Sequence, residues 1–335
     1  MTLIDLCRLF DIEELPASFT AGAPRPLQLA ARQPVADAQV DEEITHTIMA
    51  ELRRRSALLI RGVNAVNAPA VAAFADRLFA GEEPFSTGEH PHADGADALY
   101  RPVRFAPDET LLWHHENSFN ATWPRYILFA CAVPATAGGA TTIVDSRLVY
   151  AHMPLTIRQR LAEQGITYER LCDGRAGRTW EQIYGTTDKT EALQLAHTRG
   201  EQLVFTADGA RIRARRPAFQ AVAHGTSWFN QVLHWHPHAL PQEIRTMVTH
   251  GLLPAYRTCY LGGGEQITPD VVDQLIAAHR QAEFAVQWQA GDVLVIDNAV
   301  IAHGRRPYRG RREHFVRMAG LGPADADQAS TDARS

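Results

Sequence analysis

The chain has 335 residues, of which 45% are hydrophobic and 21% charged, a composition typical of a globular protein with a large core. The formal net charge is −5 and the pI is about 6.3, so the sequence lacks the basic footprint that nucleic-acid-binding proteins show. No apolar run reaches the roughly 18 residues of a transmembrane helix, and charges near the N-terminus exclude a secretory signal, so we expect a cytoplasmic protein.

The N-terminal part of the chain contains two predicted helices and one predicted strand. Residues 1–45 are rich in alanine, proline and acidic residues, and we interpret them as an N-terminal arm that leads into a helix near 41–55. Residues 56–63 form an apolar run with a glycine near its end, which predicts a short buried strand. Asn67 is placed to cap a second helix, with Pro69 in its first turn.

Short strands are predicted at both ends of the remaining chain. The runs that indicate them lie at 110–113, 125–132, 141–144, 284–288, 293–296 and 314–318. Between them, about 150–283 mixes helices, loops and strands, and we interpret this stretch as a large insertion. Residues 321–335 are polar and low in apolar content, so we predict a disordered tail.

This order of elements restricts the fold class. Strands do not alternate regularly with helices, which disfavours a doubly wound parallel sheet. A mainly β fold with decorating helices (α+β), built as a barrel or a sandwich, fits the pattern. We expect residues 46–320 to form a single domain.

A candidate metal site lies in the segment Leu-Leu-Trp-His-His-Glu-Asn-Ser-Phe at 111–119. Side chains on a strand alternate faces, so His114 and Glu116 project together while His115 points away. One imidazole and one carboxylate can occupy neighbouring positions on a metal, and a distant histidine would complete a two-His-one-carboxylate facial triad. His303, which follows an apolar strand and precedes a turn, is the candidate third ligand.

These residues belong to a longer series of linked motifs. The motifs occupy 114–119, 124–131, 138–141, 179–188, 228–230, 288–298 and 303–312. In this order they resemble the taurine dioxygenase and clavaminate synthase-like superfamily (TauD/TfdA-like). The motifs at 179–188 and 228–230 resemble its bacterial amino-acid hydroxylase branch, of the syringomycin aspartyl hydroxylase type. The resemblance covers roughly residues 45 to 320.

The resemblance implies a double-stranded β-helix, or jelly-roll, that holds Fe(II) and uses 2-oxoglutarate and O2. His114, Glu116 and His303 would then be both the metal ligands and the catalytic residues. Thr141 would bind the far carboxylate of 2-oxoglutarate together with an arginine that follows the distal histidine. A guanidinium grips a carboxylate with two parallel hydrogen bonds, which a lysine cannot do. Arg312 and Arg317 are the two candidates, and we favour Arg312.

The resemblance also implies a substrate class. The expected reaction is hydroxylation of an unactivated C–H bond in a free or carrier-protein-bound amino acid, in specialised metabolite biosynthesis. Desaturation, epoxidation or cyclisation by the same iron centre is the alternative, and a non-catalytic metal- or sugar-binding jelly-roll is a more distant one. Asn117, Asn230 and Arg305 are candidate substrate contacts. We expect neither nucleic acid nor a membrane as partner, and the sequence leaves the oligomeric state open.

Two other histidine groups compete with this site. His234, His236 and His238 alternate and could bind zinc, but Pro237 interrupts the strand pattern. The polar loop at 90–94 contains a His-x-Asp pair without a flanking strand, and we expect it to cover the active site rather than to bind the iron. Four aromatic residues near the motifs are expected in the core: Trp113, Phe119, Phe129 and Trp288.

Overall fold

The computed structural model describes residues 3–33, 40–87, 90–93, 98–103, 105–175 and 177–322. The helices are α1 Leu3–Leu6, α2 Glu42–Arg55, α3 Ala68–Leu78, α4 Ser146–His152, α5 Leu155–Gln164, α6 Trp180–Tyr184, α7 Lys189–Thr198, α8 Val232–Trp235, α9 Gln242–Thr249 and α10 Pro269–Ala282. The strands are β1 Phe10–Glu14, β2 Leu27–Ala31, β3 Ala57–Ala65, β4 Leu99–Tyr100, β5 Leu111–His114, β6 Trp123–Val133, β7 Ala137–Gly138, β8 Thr141–Asp145, β9 Ile166–Cys172, β10 Glu201–Thr206, β11 Gly209–Arg216, β12 Phe219–Val222, β13 Gly225–Trp228, β14 Arg257–Leu261, β15 Glu283–Val286, β16 Gly291–Asp297, β17 Ile301–Arg305, β18 Tyr308–Arg309 and β19 Glu313–Gly322.

Two sheets form the centre of the molecule. The larger has seven strands in the order β1-β2-β3-β16-β6-β19-β4, and the smaller has four in the order β15-β8-β17-β5. Leu294 and Met318 of the larger sheet pack with Ile143 and Ile301 of the smaller one in a shared apolar layer. The predicted mainly β jelly-roll with decorating helices is confirmed.

Helices α2 and α3 cover the outer face of the larger sheet. Asp41 caps α2 by accepting a hydrogen bond from the Ile44 amide at 2.9 Å, and Asn67 caps α3 as predicted, accepting from the Ala70 amide at 3.0 Å. Their apolar stripes, which include the buried Ile48, join one core cluster with the sheet. Because α2 and α3 cover this face of the larger sheet, a ligand cannot reach the space between the two sheets through it.

The N-terminal segment differs from the predicted arm. Strands β1 and β2 pair as an antiparallel hairpin, and β2 lies parallel to β3, with Leu27 opposite Leu58. Leu27 and Leu29 are buried, so the segment forms the edge of the larger sheet rather than a separate arm. The pattern at 27–31 is too short for its periodicity to identify a strand. At the other end, β19 extends to Gly322, and the predicted tail beyond it lies outside the described residues.

The predicted insertion builds a second layer against the smaller sheet. It contributes the sheet β10-β11-β9-β14 and the hairpin β12-β13. Trp228 and Trp235 from this region pack with Leu275 of α10 and with Trp113 beside the candidate metal site. The domain limits stay a prediction. No helix in the described parts of the chain has both the length and the apolar character needed to cross a membrane.

Candidate metal centre

The pairing of β5 with β17 brings two distant histidines together. The two strands are antiparallel, and His303 lies directly opposite His114 although they are 189 residues apart in the sequence. Glu116 lies just beyond the end of β5. Its backbone amide donates to the Asn298 side chain at 2.8 Å, and the Asn298 side-chain amide donates to the Glu116 carbonyl at 3.0 Å. Asn298 therefore fixes the backbone at Glu116, just after the end of β5.

The three predicted ligands converge on one point. The Nε2 atom of His114 lies 3.5 Å from the Glu116 carboxylate, and the Nε2 atom of His303 lies 4.0 Å from the same oxygen. One ligand atom from each residue lies within 4.8 Å of the other two, and within the described parts of the chain this is the one such group of three or more. Two imidazoles and one carboxylate form the donor set that suits non-haem Fe(II).

Hydrogen bonds and burial leave this donor set ready to bind a cation. The Nδ1 atom of His114 lies 3.1 Å from the Leu112 carbonyl oxygen and donates to it, so Nε2 is the ring nitrogen that faces the carboxylate. Burial, followed by the neighbouring His114, lowers the pKa of His303 well below its usual value, so that ring is neutral. Burial alone would raise the pKa of Glu116, but the hydrogen bond from His114 holds it well below its usual range. The carboxylate is therefore ionised.

His115 lies on the other side of the chain, as the strand alternation predicts. Its Nε2 atom is 2.8 Å from the Ser146 hydroxyl, and its Nδ1 atom contacts the Asn298 carbonyl. Burial lowers the pKa of His115 to about 3, so the ring is neutral. His115 is a hydrogen-bonded core residue and does not face the metal site.

A cavity of about 250 Å³ opens beside the three side chains. Thr141 and Arg312 line it, together with apolar residues such as Phe129. The Thr141 hydroxyl oxygen accepts a hydrogen bond from the indole N–H of Trp288 at 3.0 Å. Because this bond occupies a lone pair, the Thr141 hydroxyl proton is left to be donated to a ligand. Trp288, expected only as a core residue, thus orients a cavity residue.

The structure separates the two candidate arginines. Arg312 lines the cavity with its guanidinium 5.6 Å from the Tyr308 ring, and its Nε atom has no partner among the described residues. Burial, followed by the charge of Arg305, lowers the pKa of Arg312 to about 10, so the group stays cationic at neutral pH. Arg317 does not line the cavity and forms an ion pair with Asp76 of α3 at 2.9 Å. The geometry therefore favours Arg312 as the anion-binding group.

The two asparagines expected to contact substrate lie outside the cavity wall. The Asn117 side chain donates to the Thr122 carbonyl at 2.7 Å and its backbone has a φ of 60°. The Asn230 side chain accepts from the Val232 amide at 3.1 Å. Both residues satisfy the local backbone, which is what short amides do at turns and helix starts. We correct both assignments to structural roles.

Arg305 does line the cavity, but its guanidinium is partly committed. One of its terminal nitrogens donates to the carbonyls of Ala106 and Glu109, at 2.6 and 2.9 Å. These bonds attach the loop before β5 to the strand that carries His303. Arg305 therefore holds a wall of the cavity in place, and its contact with substrate stays a prediction.

Among the residues that the structure describes, the alternating histidines do not form a metal site. The His236 ring contacts the Ile267 carbonyl at 2.8 Å, and His238 pairs with Asp273 at 3.0 Å, so the alternating histidines diverge. His234 instead lies against the metal site: its ring centroid is 4.0 Å from that of His114, and its Nε2 atom is 2.7 Å from the Leu112 carbonyl oxygen. The alternating pattern grouped His234 with His236 and His238, whereas the structure places it beside His114.

The loop at 90–94 is described only in part. His90 lines the cavity, and its Nδ1 atom is 2.9 Å from the Thr87 hydroxyl. That the loop covers the site stays a prediction. Asp94, the other half of the His-x-Asp pair, lies outside the described residues.

Comparisons with known proteins place this geometry in context. A family model described as "Taurine catabolism dioxygenase TauD, TfdA family" matches residues 24–319. The dapdiamide synthesis protein DdaC of Enterobacter agglomerans is 30% identical over 321 residues, which cover 90% of this chain and 93% of that protein. A clavaminate synthase-like protein of Arabidopsis thaliana is 28% identical over 282 residues, covering 78% and 81%. The crystal structure of the PvcB protein from Pseudomonas aeruginosa superposes with a TM-score of 0.52 at 15% identity, covering 93% of this chain and 91% of that one, and so shares the fold.

Proposed function

This chain belongs to the TauD, TfdA family of dioxygenases, and on that premise we propose that it hydroxylates an unactivated C–H bond of an amino acid in specialised metabolism. It is an Fe(II)- and 2-oxoglutarate-dependent dioxygenase. The observation that carries the proposal for the site is the convergence of His114, Glu116 and His303 beside a cavity of about 250 Å³. We propose these three residues as the iron ligands.

The iron, when bound, couples the decarboxylation of 2-oxoglutarate to the oxidation of a C–H bond. The chain's own residues hold and orient the reactants. The two histidines would offer their Nε2 atoms and Glu116 a negative charge, so the donor set would neutralise part of the charge of a divalent cation and leave positions for other ligands. Thr141 and Arg312 supply a hydroxyl proton and a guanidinium for the far carboxylate of the keto acid.

The substrate class rests on the relatives and on the sequence motifs. DdaC is named for dapdiamide synthesis, and the motifs at 179–188 and 228–230 resemble amino-acid hydroxylases. We therefore propose a free or carrier-protein-bound amino acid as substrate. Hydroxylation adds one oxygen atom to the product, whereas desaturation or cyclisation removes two hydrogen atoms, so product mass separates these reactions. Epoxidation of an existing double bond adds the same mass as hydroxylation and requires NMR of the product.

The test combines ligand binding with turnover. Anaerobic addition of Fe(II) and 2-oxoglutarate should give a weak visible charge-transfer band, because the keto acid chelates a metal that has open positions. His114→Ala and His303→Ala should abolish the band, while His238→Ala, which removes a histidine outside the cavity, should retain it. Succinate formation across a panel of free and thioester-bound amino acids then identifies the substrate. A band that persists in both ligand variants would place the iron elsewhere.

A further inference from the structure

His314 is a buried histidine whose two ring nitrogens have no partner with hydrogen-bond geometry among the described residues. It lies on β19, two residues after Arg312, is 4% exposed and lines the cavity beside the candidate metal site. Neither ring nitrogen reaches a hydrogen-bond partner among the described residues, and the weak interaction with the Glu313 backbone does not have hydrogen-bond geometry. A neutral imidazole always carries one donor and one acceptor. Leaving both unpaired in the interior is unfavourable, which calls for an explanation.

The groups around His314 are the ones that face the far end of the keto acid. The ring stands perpendicular to Trp288, with centroids 4.8 Å apart. Trp288 in turn donates its indole N–H to Thr141. Burial, followed by the charge of Arg312, lowers the pKa of His314 well below its usual value, so the ring is neutral and one nitrogen carries a proton to donate. His314, Thr141 and Arg312 thus line one cavity, and Trp288 contacts both His314 and Thr141.

A carboxylate can use a third donor at this place. Its two oxygens offer about four acceptor positions, of which a bidentate guanidinium fills two and a hydroxyl fills one. We propose that His314 donates a hydrogen bond to the far carboxylate of 2-oxoglutarate, alongside Arg312 and Thr141, and so helps to select a five-carbon dicarboxylic keto acid. This inference rests on the proposed function and deepens it, because the resemblance implies only the threonine and one arginine.

The competing explanation is that His314 only fills space beneath Trp288. The two explanations differ in which keto acids depend on the ring. If His314 binds the far carboxylate, then 2-oxobutyrate, which has the same chelating end and no second carboxylate, gains nothing from it. If His314 is only packing, its replacement disturbs the cavity for both keto acids alike.

The test measures keto-acid affinity in the metal-loaded protein under anaerobic conditions. His314→Phe keeps an aromatic ring against Trp288 and removes both nitrogens, and His314→Gln restores a donor. Isothermal titration of 2-oxoglutarate should show about 10- to 100-fold weaker binding for His314→Phe, and an intermediate loss for His314→Gln. The affinity for 2-oxobutyrate, measured by competition, and the affinity for Fe(II) should stay unchanged in both variants.

Each result decides the question. Equal losses for the two keto acids, or no loss for either, would overturn the role of His314. His314→Leu against His314→Gln makes the same comparison if the phenylalanine variant does not fold. Failure of the proposed function would look different: the unmodified protein itself would bind 2-oxoglutarate no more tightly than 2-oxobutyrate.

Discussion

Replacing Arg312 by alanine should cause the largest loss of 2-oxoglutarate binding among the single changes at the far end of the cavity. Removing one partner of a buried charge pair costs roughly 3–5 kcal/mol. Here the lower limit applies, because Arg305 also lines the cavity and its positive charge remains there. A cost of about 3 kcal/mol corresponds to roughly 150-fold weaker binding.

Arg317→Ala is the matched control for this experiment. It removes an arginine from the next strand, but the ion pair that it breaks involves Asp76, whose side chain is 62% exposed, so a cost of about 0–1 kcal/mol in stability is expected. The loss of 2-oxoglutarate affinity in Thr141→Ala should lie between the losses in Arg312→Ala and Arg317→Ala. It removes one neutral hydrogen-bond donor to an ionised group, which costs about 1.5–3 kcal/mol.

Titration of 2-oxoglutarate against the charge-transfer band measures all three variants without knowledge of the substrate, and Fe(II) binding should be retained in each. A normal titration for Arg312→Ala with a collapsed one for Arg317→Ala would assign the role to Arg317. It would also refute our reading of which face of β19 meets the cavity.

Three further predictions concern neighbouring residues. His115→Ala should lower the free energy of unfolding by about 2–4 kcal/mol in urea denaturation, because it leaves a cavity and unpaired core groups, while Fe(II) binding by the folded protein is retained. Trp288→Phe should weaken 2-oxoglutarate binding about 3- to 10-fold, because the Thr141 hydroxyl loses its fixed orientation; unchanged affinity would contradict this. Burial lowers the pKa of His279 to about 4, so the unfolded chain binds a proton below about pH 6.5 while the folded protein does not. The free energy of unfolding should therefore fall by about 1–2 kcal/mol between pH 7.5 and pH 5 on account of His279, and His279→Gln should reduce this slope.

One half of the candidate metal centre could be predicted from the sequence because it is a simple pattern. Strand alternation alone places His114 and Glu116 on one side and His115 on the other. The partner strand could not be found in this way, because β5 and β17 pair across 189 residues. The resemblance to a family identified His303 as the candidate third ligand. The fold explains why, because β17 pairs with β5 and places His303 opposite His114.

The choice between Arg312 and Arg317 illustrates why the residues that line the cavity could not all be predicted from the sequence. Along β19, His314, Val316 and Met318 are on the side of the smaller sheet or the cavity, whereas Phe315 and Ala319 pack with the helix-covered core. Both faces of this strand are buried and apolar, so no alternation in the sequence reveals which face is which. The side on which an arginine lies therefore became known only with the strand in place.

The roles of small polar residues near the motifs could not be predicted for another reason. Asn117 and Asn230 lie close to the site in sequence, yet their side chains bind their own backbone, whereas Asn298 fixes the Glu116 backbone from a turn 182 residues away. Asn298 and His314 carry no local signal, because their importance depends on groups brought to them by distant strands.

The pairing of β5 with β17 also determines when, during synthesis of the chain, the proposed ligands become available. At roughly 5–20 residues per second, a ribosome needs about 10–40 s to add the 189 residues between His114 and His303. During that interval the growing chain offers a metal ion only His114 and Glu116 of the three proposed ligands, and Arg312 is added later still. The three proposed ligands are therefore present together only after β17, the strand that carries His303, has been synthesised.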